Sequence, residues 1–146
     1  EGEWEEGYVF GCKDTTKNEC FHRMLFGGPA GSWKLIKNVK PNKTLLFLYD
    51  LSNAQLLGLF GASEPPTYNL VPQAWQKPRR QNGVNSKTGP YPAQVRVRVE
   101  EELPPLTAKE YCKAMGKGWQ PTKHSIFLSM AQTNALVSAM KAKSNG

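Results

Sequence analysis

The sequence predicts an α+β domain, a mixed β-sheet curled into a small barrel with about three helices packed outside it. Three observations carry that expectation. Short apolar or alternating runs bounded by glycine and proline recur along the chain, the clearest being Pro92-Ala-Gln-Val-Arg-Val-Arg-Val-Glu100, where valine alternates with arginine. Three other segments space their apolar residues at helical intervals and fall between the strand-like runs, which favours a mixed sheet. Glycines 58 and 61 interrupt an apolar run where a sheet must bend. At 146 residues the chain fits a single domain, spanning 1–146 with a core of about 7–142.

In order, Gly7-Tyr-Val-Phe-Gly-Cys12 reads as a first strand, aromatic, β-branched and bounded by glycine. The segment 14–26 reads as an amphipathic helix, since Cys20 and Met24, and Phe21 and Leu25, stand four apart, while Thr16 and Glu19 have capping-box spacing. Gly27-Gly28-Pro29 should end it. Residues 33–39 read as a strand, followed by a Lys40-Pro-Asn-Lys43 turn into Thr44-Leu-Leu-Phe-Leu-Tyr-Asp50, apolar enough to lie in the middle of a sheet. Ser52-Asn53 then turns the chain into a hairpin partner over 55–62. From 63 to 90 periodicity gives way to an irregular, proline-punctuated loop with Trp75 near its middle, and loops of that length are commonly functional or disordered. After the valine–arginine strand, 107–115 reads as a short helix, 124–129 as a last strand and 131–143 as a final helix.

No run approaches the ~20 apolar residues that span a bilayer, and the opening Glu1-Gly-Glu-Trp-Glu-Glu is acidic where a secretory signal is basic. Cys12, Cys20 and Cys112 are odd in number and lack the paired spacing of a zinc site, so free thiols in a reducing compartment are expected. These features predict an intracellular protein, cytoplasmic and/or nuclear, with no membrane, metal or cofactor. The net charge of +7 is unevenly distributed. Between Glu19 and Asp50 the only charges are Arg23, Lys34, Lys37, Lys40 and Lys43, and between Glu64 and Glu100 they are Lys77, Arg79, Arg80, Lys87, Arg96 and Arg98. Acid-free windows of this kind build either a surface for phosphates or a solvated face that keeps the domain soluble.

Four motifs then occur in one order: Phe26-Gly-Gly-Pro29, Leu46-Phe-Leu48, Pro92-Ala-Gln-Val95 and Pro105-Leu106. Together they resemble the signature of the plant development and cell death (DCD) domain, written FGLP, LFL, PAQV and PLxE, and the resemblance runs from about residue 7 to about 142. Gly28 stands where the family has leucine, and Ala108 where PLxE has its glutamate. The resemblance implies a module of plant stress, hormone and cell-death proteins. The order of elements also resembles, at the level of fold, the PUA-like superfamily with its YTH and EVE domains, which bind modified bases between aromatic walls.

That analogy matches Phe26 and Trp75 to aromatic walls. Trp33 and Tyr8 complete a candidate aromatic pocket, since Trp33 neighbours Lys34 and Lys37, and alternate faces of the first strand face core and pocket. Stacking on such rings contributes about 1–3 kcal/mol per base. Trp75 reads more readily still as a plug over the core, and Phe26 as core. Gly11, Cys12, Lys13 and Asp14 join the first strand to a helix N-terminus whose N–H groups suit a phosphate or a base edge, or are simply capped. Lys34, Lys37, Lys77, Arg79, Arg80, Arg96 and Arg98 are candidate phosphate contacts. Catalysis finds little support: His22 and His124 have no nucleophile with a recognisable signature beside them, and Glu100-Glu101-Glu102 reads as a solvated strand end. The expectation is a non-catalytic module for RNA or a nucleotide. The alternative is a module for protein interaction or oligomerisation, with other signalling proteins as partners.

Overall fold

The computed structural model describes residues 4–76, 89–120 and 126–146. Strands β1 (Glu6–Cys12), β2 (Leu25–Gly28), β3 (Thr44–Asp50), β4 (Gln55–Ala62), β5 (Thr67–Tyr68), β6 (Ala93–Val99), β7 (Leu106–Thr107) and β8 (Ile126–Leu128) form one curled sheet with main order β2-β6-β4-β3-β1-β8. The strand pair β1–β3 is parallel, and the others are antiparallel. Helix α1 (Asp14–Arg23) links β1 to β2, α2 (Trp33–Ile36) is a single turn, and α3 (Ala108–Met115) and α4 (Met130–Asn145) pack on the sheet's outer face. The result is a half-barrel with helices outside it.

The apolar run of β3 is explained by burial on both faces. Leu46 and Leu48 join Tyr8, Phe10, Phe60 and Val95 inside the curl, whereas Leu45, Phe47 and Tyr49 meet Leu56, Tyr111, Leu136 and Met140 beneath α3 and α4. All seven β3 residues are buried. Each large apolar side chain so enclosed contributes about 1.5–3 kcal/mol, which makes this strand the centre of the core. Outward residues of α3 and α4 are held by caps: Thr107 Oγ1 accepts from Glu110 N–H at 3.1 Å and Ser129 Oγ from Gln132 N–H at 3.1 Å.

Two expected elements differ. The first helix stops at Arg23, because Met24 turns left-handed at φ 49°, and Leu25–Gly28 is a strand on β6. The four-residue spacing of Phe21 and Leu25 mimicked a continuing helix, but burial of both Leu25 and Phe26 is the pattern of a strand enclosed on two faces. Residues 33–39 form no strand. Ala30–Ser32 is a 3₁₀ turn leading into α2, and the buried residues Ile36 and Val39 are three apart, a helical interval that the aromatic and β-branched composition concealed. Within 63–90, β5 adds a short strand to β6. His124, expected in the last strand, lies outside the described residues.

Candidate functional site

Among the described residues β2 and β8, the two ends of the strand order, do not pair, and a cavity of about 230 Å³ lies in the seam between the end of β1 and the exit of β2. One wall is the end of β1. Strand β8 pairs β1 only at Gly7, Tyr8 and Val9, so beyond Val9 the outer edge of β1 has no strand beside it among the described residues. Cys12 C=O accepts from Leu51 N–H at 2.8 Å on the β3 side. By the alternation of a strand, the N–H and C=O of Gly11 therefore point the other way, into the seam. The facing wall is the exit of β2, Gly27, Gly28 and Pro29, whose opposite edge is paired to β6.

Trp75 and Tyr91 supply the aromatic wall, edge to face with centroids 5.6 Å apart. Trp75 is held unusually firmly. Its backbone is left-handed at φ 60°, which costs a bulky residue about 1–3 kcal/mol. Its N–H donates to the Glu19 carboxylate at 2.8 Å, itself bound by Arg23 Nε at 2.8 Å, and its indole N–H donates to Thr16 C=O at 3.3 Å. The ring lies close enough to Gly27 that a Cβ there would fall 2.7 Å from Cζ3 and 2.8 Å from Cη2.

The floor carries two thiols, Cys12 and Cys20. Burial pushes both up to about 12, with Cys20 and Asp50 adding to the effect at Cys12. Both stay protonated at neutral pH and act as soft, weakly polar surface rather than nucleophiles. Among the described residues no histidine or carboxylate lines the cavity, and no three metal-ligating side chains come together anywhere. Beside the floor, buried Asp50 accepts from Lys17 Nζ at 2.8 Å and from Asn53 Nδ2 at 2.9 Å, tying α1 to the β3–β4 turn.

The expected site residues separate. Gly11, Cys12, Lys13 and Trp75 line the cavity, and Trp75, only 7% exposed, is at the same time packed into the inner core, as the plug reading expects. Tyr8 and Phe26 do not form an aromatic cage: both are 0% exposed inside the curl, packed against Phe10, Phe60 and Phe127. Trp33 lies outside the cavity against Tyr68. Asp14 turns to the β3–β4 turn, its N–H donating to Ser52 Oγ at 2.9 Å and its Oδ1 accepting from Asn53 Nδ2 at 3.0 Å. With Lys13 N–H donating to Thr16 Oγ1 at 3.0 Å, two of the helix N-terminal donors are already engaged.

The candidate cations also divide. Arg96 and Arg98 are not free for phosphate, being paired to Glu64 at 3.4 Å and Glu100 at 2.7 Å. Lys34 and Lys37 are exposed on and after α2. Lys77, Arg79 and Arg80 lie outside the described residues. The sequence reading missed Tyr91, Thr16, Cys20 and the backbone of Gly27-Gly28-Pro29 as cavity walls. The glycine pair at the motif carried the available signal, since two adjacent glycines let a ring and a ligand approach the backbone.

Comparison with known proteins agrees with this geometry. The family model of the Development and cell death domain matches residues 6–140. The chain is 35% identical over 100 residues to the B2 protein of Daucus carota and, over a stretch of the same length, to the DCD domain-containing protein NRP-B of Glycine max. Those alignments cover 68% of this chain but 45% and 28% of the two relatives, so the chain spans less than half their length. Among solved structures, the Pho92 YTH domain in complex with m6A superposes with a TM-score of 0.67 at 9% identity, covering 94% of this chain and 84% of that one. The YTH domain of mmi1 in an RNA complex gives 0.62 at 12% identity, covering 97% and 84%. At such identities the likeness is one of fold. The signature motifs, the half-barrel and the family match over residues 6–140 converge on one conclusion: the chain belongs to the plant development and cell death domain family.

Proposed function

We propose that this domain is a non-catalytic binding module whose seam cavity takes one heteroaromatic base of an RNA or nucleotide, in the development and cell-death processes for which the family is named. The observation that carries the reading is Trp75, a strained and doubly anchored ring forming one wall of a cavity that is also lined by the backbone of Gly11, Gly27 and Gly28. Backbone strain of this kind persists where the surroundings over-determine it, and it clusters at binding sites. A volume of about 230 Å³ lies below the ~300–1,000 Å³ of drug-sized sites, which suits a single ring system. A planar base would lie against the indole while its polar edge meets Gly11 and Lys13. Two solved neighbours of the same fold were captured with RNA and with m6A, which supports the class of ligand without fixing the base. The free thiols Cys12 and Cys20 favour a reducing compartment, the cytoplasm and/or nucleus.

The test is fluorescence anisotropy with labelled single-stranded RNAs, with and without N6-methyladenosine, over a salt series. Saturable binding that prefers certain bases and weakens about 5-fold or more in Trp75→Leu is expected. Binding that is absent, or purely salt-driven and indifferent to Trp75, overturns the slot. Partner capture that survives nuclease would instead favour a protein-interaction module.

A further inference from the structure

We infer that Trp33 and Tyr68 form a second stacking station beside the cavity, so that the domain takes a single strand of at least two nucleotides rather than a free nucleoside. The inference rests on the base-slot reading, but a different set of residues carries it. The two rings meet edge to face, with centroids 5.6 Å apart at 71°. Tyr68 is 43% exposed and Leu35, on the same turn as Trp33, is 40% exposed, which puts both among the few large hydrophobic side chains left open to solvent.

The fold puts this pair next to the slot by two independent routes. Along the chain, Ser32 lines the cavity and Trp33 follows it at the start of α2. Across the sheet, Ala93 of β6 pairs with Gly28 of β2 on one side and with Tyr68 of β5 on the other. Tyr68 therefore stands two strand spacings, ~10 Å, from a glycine of the cavity wall. A strand with one base in the slot would bring its neighbour over these rings.

The surrounding charge selects a polyanion over a protein partner. Lys34, Lys37 and Lys40 are exposed, and none of them enters an ion pair among the described residues. No acidic residue occurs between Glu19 and Asp50. The acid closest to β5 in sequence, Glu64, is paired with Arg96. Exposed Tyr68, braced by a Trp33 that is half-buried against the inner core, stands beside unpaired lysines and provides what a neighbouring nucleotide needs, a π-surface for the base and cations for the phosphates.

The experiment compares 5′-AMP and N6-methyl-AMP with labelled eight-nucleotide oligoadenylate and oligouridylate on wild type, Tyr68→Ala, Tyr68→Phe and the double variant Lys34→Gln/Lys37→Gln. Tyr68→Ala should weaken oligonucleotide binding about 5- to 150-fold, leave mononucleotide affinity within about twofold, and be rescued by Tyr68→Phe. The lysine variant should flatten the slope of log K against log salt by about 1.4, since each lost phosphate contact on a single strand contributes ~0.7. An oligonucleotide that binds no more tightly than a mononucleotide, or that ignores Tyr68→Ala, overturns the second station while leaving the slot intact. Binding sensitive to Tyr68 but not to Trp75 overturns the slot and keeps the station. A Tyr68 effect confined to nuclease-resistant protein capture assigns the patch to a protein and overturns the inference.

Discussion

Gly27→Ala is the sharpest probe of how the cavity is built. The added methyl would sit 2.7 and 2.8 Å from Cζ3 and Cη2 of Trp75 and 3.0 Å from the Tyr91 carbonyl oxygen. Ordinary carbon contacts begin near 3.5 Å, so the indole must retreat by about 0.8 Å. The indole N–H bond to Thr16 is already 3.3 Å long, and a shift of that size would break it. Overpacking costs about 1–3 kcal/mol and the hydrogen bond about 1 kcal/mol, giving roughly 2–4 kcal/mol in all. In a domain of this size that lowers the melting midpoint by about 4–16 °C. Thermal unfolding followed by near-ultraviolet circular dichroism measures it, in a cycle with Trp75→Leu, which removes both clashing ring carbons. In that background Gly27→Ala should cost less than about 1 kcal/mol. If the single variant melts with wild type and binds RNA equally well, or if the two substitutions are additive, the indole is not wedged on Gly27 and the cavity wall is not the one described.

Two further predictions concern charge and thiols near the same floor. Burial raises the Asp50 carboxyl, but bonds from Lys17 and Asn53 outweigh it and hold the group below its ordinary 3.8. Lys17 is raised above 10.5, chiefly by its bond to Asp50. A depressed carboxyl contributes stability above its unfolded value and loses it as pH falls through the folded one. A raised ammonium contributes below its unfolded value and loses it as pH climbs through the folded one. Lys17→Met should therefore cost roughly 3 kcal/mol at neutral pH, by leaving a buried carboxylate short of its partner, and flatten both the acid and the alkaline limb of the stability profile. Urea titrations from pH 3 to 11 that keep either limb unchanged count against the pair. Separately, with burial pushing Cys12 and Cys20 up to about 12, iodoacetamide at pH 8 should modify both roughly a thousand-fold more slowly than an ordinary thiol. Rapid labelling of either in the native state, read by mass spectrometry, would mean that the floor is open to solvent.

The sheet was legible because its signals are local. The unbroken apolar run of β3 could only be a strand buried on both faces, and the valine–arginine alternation of β6 fixed its register. The four motifs are short and contiguous, so the family too is legible in them. What stayed hidden depended on contacts distant in sequence. Phe26 and Tyr8 are aromatic residues near glycines, a pattern that does not distinguish a ring pointing into the curl from one pointing into the seam. Tyr91 became a wall only because β6 places it against a residue sixteen positions earlier. Arg96 looked available until Glu64, 32 positions earlier, came to rest against it, whereas the partner of Arg98, Glu100, is only two residues away and the pair was open to local reading.

The cavity is lined by the end of β1, the exit of β2 and the rings of Trp75 and Tyr91. All seven residues of β1 are paired to β3, and β8 pairs with Gly7, Tyr8 and Val9 on the other edge. Among the described residues nothing pairs with that outer edge beyond Val9, at the point where the chain leaves β1 for α1. A chain 12% and 9% identical to two YTH domains keeps their fold. If the cavity binds a ligand as proposed, specificity should reside in the ring contributed by the long loop and in the glycine it rests on, here Trp75 and Gly27. Substitutions confined to those positions should change which ligand binds before they change whether the sheet forms.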